Sequence, residues 1–133
     1  MKFEELEGKV VVITGGNGFV GRSLGKKIVE EYKAKEVRLI DLNFKTFPPS
    51  LSPNLTLIQA DITHLPSLLP HFKECWVVFH IASYGMSGKA MLQDSLVLQI
   101  NVEGTKNVIK CCVENKVDKR KLFALLFNDS KTL

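Results

Sequence analysis

An uninterrupted apolar run, Val10 to Ile13, passes through Thr14 into the glycine-rich stretch GGNGFVG that ends at Gly21. This junction constrains the fold more than any other part of the chain. A continuous β-branched run suits a strand covered on both faces, the situation of a parallel strand inside an α/β sheet. The glycines that follow leave no side chains where an anion would approach the backbone. The helix starting near Gly18 offers its unpaired N–H groups and positive dipole end to such an anion.

Two glycine registers overlap, Gly16-x-Gly18-x-x-Gly21 and Gly15-x-x-Gly18-x-x-Gly21. Gly15 or Gly16 serves the tight turn, Gly18 the close approach of backbone to a diphosphate, and Gly21 the packing of helix on strand. A plain strand-to-helix turn would account for the glycines alone. However, the next apolar segment, Val37 to Ile40, ends in Asp41, 20 residues after Gly21. A carboxylate there accepts hydrogen bonds from both hydroxyls of an adenosine ribose and repels a 2′-phosphate. On its own Asp41 reads as a strand-end turn former. The combination points to a dinucleotide, NAD in preference to NADP.

At 133 residues the chain is one domain, large enough to bury roughly two-thirds of its unfolded surface. A hydrophobic content of 45%, a charged content of 24% and a net charge of +4 are ordinary for a globular protein. The lysines are scattered and no aromatic residues interleave with them, so nucleic acid is not an expected partner. Cys75, Cys111 and Cys112 read as small buried residues of a reducing compartment, and no His/Cys cluster has metal-ligand spacing. No apolar run approaches the roughly 20 residues of a membrane span, and Met1 to Gly8 lacks an apolar signal core. A cytoplasmic location follows as an expectation.

Val20, Leu24 and Ile28 mark an amphipathic helix, with Gly25 inside it as a site of close packing. Asn43 to Pro53 is loop, Leu55 to Gln59 a third strand leading to Asp61, and His64 to Phe72 a short helix or turn. Trp76 to His80 is a fourth buried strand, and Gln93 to Glu114 a long helix striped by Leu96, Ile100, Val108 and Cys112. This order gives an α/β doubly wound, Rossmann-type parallel sheet in the spatial order 3-2-1-4-5, incomplete at its C-terminal side. Without a fifth strand Trp76 to Phe79 would be an apolar edge. Leu122 to Phe127 is the segment apolar enough to fill the slot, as strand or as loosely packed helix.

The stretch TGGNGFVG from Thr14 to Gly21, then Asp41, Asp61-Ile62, His80-Ile81-Ala82 and NVEGT from Asn101 to Thr105, occur in the order seen in the extended short-chain dehydrogenase/reductases. The stretch HIASYGMSG from His80 to Gly88 and GFVGR from Gly18 to Arg22 look most like the 3β-hydroxysteroid dehydrogenase/isomerase family, its 42E-type members in particular. The resemblance covers roughly Gly8 to Val117 and divides the chain into a partial Rossmann domain, 1–117, and a divergent tail, 118–133.

The resemblance implies that Gly15, Asn17, Gly18, Phe19 and Val20 line the pyrophosphate and that Asp41 holds the adenosine ribose. It further implies that Asp61 and Ile62 flank adenine, that Ile81 and Ala82 support the nicotinamide-side ribose, and that Asn101 helps organise a proton relay. Each residue also has a plainer reading: Asp61 as a helix cap, His80 as a hydrogen-bonded core histidine, Asn101 as a mid-helix polar residue. The resemblance implies NAD-dependent oxidation of a CH–OH group on a steroid or similar lipid. The family's catalytic Tyr-x-x-x-Lys pair has no match here, because Glu36 and Gly88 stand four residues after Tyr32 and Tyr84. No catalytic residue is therefore assigned. The pattern reads as the cofactor-binding portion of such an enzyme, truncated and inactive alone. The alternatives are a non-catalytic NAD-binding module or part of a nucleotide-sugar epimerase or dehydratase.

Overall fold

A computed structural model of the chain describes residues 1–47, 52–85 and 94–124. Five strands form one sheet: β1 (Val10–Thr14), β2 (Glu36–Asp41), β3 (Leu55–Gln59), β4 (Val77–His80) and β5 (Leu122–Ala124). Their order is β3-β2-β1-β4-β5, and every pairing is parallel. The segment Leu122 to Phe127 is thus a strand over its first three residues, with Val78, Phe79 and His80 opposite Leu122, Phe123 and Ala124. Residues 125–127 of the expected segment lie outside the described residues, and β5 stands at an open edge of the sheet.

The sheet explains why β1 carries no polar residue before Thr14. Side chains alternate between its faces, and both faces are covered. On one face Val12, Ile40 and Val78 pack with Leu68, Phe72, Val108 and Cys111. On the other, Val11, Ile13, Val37, Leu39, Val77 and Phe79 pack with Leu6, Ile28 and Val29. All three cysteines are buried and free in the first of these cores, where burial pushes the Cys75 thiol up to about 12 and those of Cys111 and Cys112 up to about 11.

Helix α1 (Phe19–Glu30) follows the glycine turn. Gly25 sits so close to β2 that a Cβ there would lie 2.8 Å from Leu39 Cδ2, which bears out the close packing read from the sequence. The turn-prone segment after β3 is α2 (Leu65–Leu68) running into a 3₁₀ turn over Leu69–Phe72. The long helix begins at Asp94 among the described residues and is not uniformly α. Helix α3 (Asp94–Leu98) passes through a π-helical segment, Gln99–Gly104, into α4 (Thr105–Glu114). The apolar and small residues of this helix recur every four positions: Leu96, Ile100, Gly104, Val108 and Cys112. In a pure α-helix each four-residue step overshoots a full turn by about 40°. The i→i+5 bonding of a π segment winds more residues per turn and so helps keep the stripe on the sheet. Among the described residues no helix is long and apolar enough to cross a membrane.

Candidate functional site

The carboxyl ends of the first four strands meet at one cleft of about 990 Å³. Main-chain hydrogen bonds hold its rim together. Gly16 N donates to Ile40 O (3.0 Å), Ala60 N to Asp41 O (3.0 Å) and Ile81 N to Thr14 O (3.2 Å). The four strand ends therefore keep a fixed spacing.

The turn after β1 needs its glycines for two different reasons. Gly15 has φ +73°, and a Cβ on it would lie 2.8 Å from the Ala82 nitrogen, so both conformation and space exclude a side chain. Gly21 lies in the first turn of α1 against the carbonyl oxygen of Gly15, so a Cβ there would force helix and turn apart. At the entry to α1, Gly18 is the N-cap residue and supplies no capping side chain, and no acidic residue stands in the first turn. The amides of Phe19, Val20 and Gly21 consequently have no intrahelical acceptor. Phe19 itself is 83% exposed.

Asp41 closes the other side of this corner. Its Oδ2 accepts from Asn17 N (2.9 Å) and its Oδ1 from Leu42 N (2.8 Å), so one carboxylate ties the glycine turn to the end of β2. The Asn17 side chain donates to Thr46 Oγ1 (3.3 Å), while its Oδ1 is buried and has no partner among the described residues. Asp61, beyond β3, accepts from both Thr63 N (2.8 Å) and Thr63 Oγ1 (2.7 Å) through Oδ1. This is a local turn rather than the helix cap of its plainer reading, since the N-cap of α2 is His64 and has no side-chain capping bond; Asp61 also lines the cleft.

Nine of the residues singled out from the sequence border the cleft: Gly15, Gly18, Phe19, Val20, Asp41, Asp61, Ile62, Ile81 and Ala82. Asn17 and Asn101 do not. Asn101, in the π segment, makes a reciprocal pair with the main chain of Tyr84, accepting from its N–H (2.8 Å) and donating to its carbonyl (2.9 Å). It thus fixes the loop after β4, whose Ser83 and Tyr84 do line the cleft. Leu42, Leu96 and Ile100 are apolar lining that sequence reading treated as loop or core. Their only signal was adjacency to Asp41 or position on the helical stripe.

His80 is buried in a chain of hydrogen bonds. Thr105 Oγ1 donates to Asn101 O (2.6 Å) and must therefore accept from His80 Nε2 (2.8 Å). A neutral ring with its proton on Nε2 leaves Nδ1 to accept from Thr14 Oγ1 (2.6 Å), which in turn accepts from Ala82 N (3.3 Å). Burial pushes the pKa of His80 down, consistent with this neutral form. The plainer reading of His80, a satisfied core histidine, is the one the geometry bears out.

Residues 12–123 match the model of the 3-beta hydroxysteroid dehydrogenase/isomerase family. The chain belongs to that family. Within it the chain is 42E-like: it is 35% identical over 120 residues to short-chain dehydrogenase/reductase family 42E member 1 of Homo sapiens, covering 89% of this chain and 29% of that protein. It is 32% identical over 110 residues to 3 beta-hydroxysteroid dehydrogenase type 7 of Mus musculus, covering 79% and 29% respectively. The chain thus spans about 30% of the length of the curated relatives it matches. Among solved structures, WbmF of Bordetella bronchiseptica, crystallised with NAD+, superposes with a TM-score of 0.77 at 21% identity, over 96% of this chain and 41% of that one. At that identity the likeness establishes the shared Rossmann-type fold. The family match ends at residue 123, so it reaches into β5 and past the point near Val117 to which the resemblance was traced in the sequence.

Proposed function

We propose that the chain binds NAD(H) in the cleft at the carboxyl ends of β1–β4. It would do so as the cofactor-binding part of a 3β-hydroxysteroid dehydrogenase-like oxidoreductase acting on a CH–OH group of a steroid or similar lipid. The observation that carries the reading is the corner formed by two features. One is an uncapped helix terminus with the amides of Phe19, Val20 and Gly21 open. The other is the Asp41 carboxylate, tied to that turn through Asn17 N. An anion fits the first, and a neutral diol fits the second. Gly18 leaves the approach clear, since a Cβ there would meet only Gly15 O at 3.3 Å. The residues present therefore fit a dinucleotide.

NAD, when bound, supplies the carbon that exchanges hydride with a secondary alcohol or ketone. The chain's own residues do the rest of the binding work. Asp61 and Ile62 flank adenine, and Ile81 and Ala82 support the second ribose, their positions fixed by the bonds from Ile81 N and Ala82 N to Thr14. Asn101 holds the Tyr84 loop in place. Residues 1–117 form the cofactor-binding unit and the segment beyond contributes β5. Bound dinucleotides of neighbours such as WbmF agree with this reading.

Calorimetric titration tests it. NAD+ is expected to bind more tightly than NADP+, and Asp41→Ala is expected to narrow that gap. Tighter binding of NADP+ by the unaltered chain would refute the reading.

A further inference from the structure

The helix that begins at Asp94 braces two walls of the cleft at once. Asn101, in its π segment, holds the loop after β4 through the main chain of Tyr84. Six residues on, in α4, the half-buried Asn107 reaches the turn after β3, where its Nδ2 donates to the carbonyl of Ile62 (2.9 Å). Gly104 stands between them, buried against the same isoleucine. A Cβ on Gly104 would lie 2.6 Å from Ile62 Cδ1 and 2.8 Å from its Cγ1. Ile62 is thus gripped twice, by its carbonyl and by its side chain, from positions about one helical turn apart.

The turn that carries Ile62 has little else to hold it. Its own bonds are short-range: His64 N donates to Asp61 O (3.0 Å), and Thr63 N and Oγ1 donate to Asp61 Oδ1. These fix the shape of the turn and leave its place open. Placement comes from Ala60 N, which donates to Asp41 O (3.0 Å), and from Asn107, which bonds across 45 residues of sequence. Asp61, Ile62 and Thr63 line the cleft, whereas Asn107 does not. With Oδ1 of Asp61 taken up by Thr63, Oδ2 has no hydrogen-bond partner among the described residues. A group entering the cleft therefore meets this carboxylate where the helix has put it.

On the reading that the cleft binds a dinucleotide with Asp61 and Ile62 flanking adenine, we propose that Asn107 is a positioning residue for the adenine wall. Acting through the Ile62 carbonyl, it holds the Asp61 turn so that Oδ2 accepts from the exocyclic amine of the base. The bond to Ile62 is already made without ligand, and ordering a wall in advance of binding raises affinity. Preference for an amino purine over an oxo purine then depends on a side chain that does not itself touch the base.

The test compares NAD+ with nicotinamide hypoxanthine dinucleotide, which carries a carbonyl oxygen where adenine has its amine. Asn107→Leu removes the amide while keeping a similar shape, and Asn107→Gln keeps an amide donor. Gly104→Ala presses on the Ile62 side chain instead. Both dinucleotides are titrated calorimetrically, and thermal melting checks that each variant folds. The unaltered chain is expected to prefer NAD+. Asn107→Leu is expected to weaken NAD+ about fivefold, the size of one hydrogen bond, and the hypoxanthine dinucleotide less than about twofold. Gly104→Ala should reduce the preference in the same direction, and Asn107→Gln should retain most of it. Equal weakening of both ligands by Asn107→Leu, with or without a lower melting temperature, would make Asn107 a structural contact alone and overturn the proposal. No change in either ligand would overturn it too. If the unaltered chain binds neither dinucleotide, the proposed function fails and this inference falls with it. If the unaltered chain binds NAD+ but the preference is absent or untouched by the variants, only the inference fails.

Discussion

Single residues in this chain divide into those whose role follows from backbone geometry and those whose role follows from partners. Gly15, at φ +73° against the Ala82 nitrogen, belongs to the first kind, and a turn after a buried strand announces such a residue in sequence. His80 belongs to the second. Nothing in the apolar run WVVFH announces that both ring nitrogens meet threonines 66 and 25 residues away in sequence. Its neutral ring makes stability depend on pH. The unfolded chain protonates this histidine near its ordinary value of 6.5, whereas burial lowers the value in the folded state. Below about pH 6.5 the unfolded state thus binds the extra proton, and stability falls as pH drops. The slope is at most about 1.4 kcal/mol per pH unit for each such group. His71, also lowered by burial and by Arg38, acts in the same direction. Urea unfolding at pH 7.5 and pH 5 is expected to show this loss, and His80→Gln should reduce the slope while lowering stability at both values. An unchanged slope in His80→Gln would mean that His80 does not carry the effect.

Among the elements, the strands were the most legible. Their apolar runs are short, bounded by turn residues and β-branched, and the order 3-2-1-4-5 expected of a doubly wound fold is the one observed. Two elements were not fully legible. The helix from Asp94 to Glu114 carries a π segment that only the four-residue recurrence of its apolar stripe could have revealed. The strand β5 was undecided because Leu and Ala favour neither strand nor helix strongly. Tertiary contacts decide it: Phe123 stacks on Phe79 with centroids 5.5 Å apart, and Lys121 Nζ lies 3.9 Å from the centre of the Trp76 ring. Aromatic pairs of this kind are worth about 0.5–1.5 kcal/mol beyond their burial. Deleting residues 122–133 is expected to lower the melting temperature by several degrees and, by baring the edge of β4, to increase light scattering. A monomeric deletion variant with an unchanged melting temperature would show that β5 does not secure the sheet. Phe123→Ala should lower the melting temperature less than the deletion does.

For the whole molecule, the legible part of the site is the part written in local motifs. The glycine turn, Asp41, Asp61-Ile62 and Ile81-Ala82 each sit at a strand's carboxyl end, and a parallel sheet brings such ends to one cleft. Leu96 and Ile100 reach the same cleft from a helix far along the chain, and no local motif marks them. The chain's 133 residues contain no Tyr-x-x-x-Lys pair, so no group of that kind is available to exchange a proton with a bound alcohol. Loss of such an acid/base costs roughly 10²–10⁴ in rate. Purified chain incubated with NAD+ and a panel of hydroxysteroids is accordingly expected to form no NADH above blank. Turnover abolished by Tyr84→Phe would assign catalysis to Tyr84 instead. Nuclear magnetic resonance tests the binding site most directly, since the chain is only 14.9 kDa. On titration with NAD+, saturable amide shifts are expected at Phe19, Val20 and Gly21, at Asp61 to Thr63 and at Ile81 to Ser83, with Lys106 to Glu114 little affected. Absence of saturable shifts, or shifts centred away from the carboxyl ends of β1–β4, would contradict a dinucleotide site in this cleft.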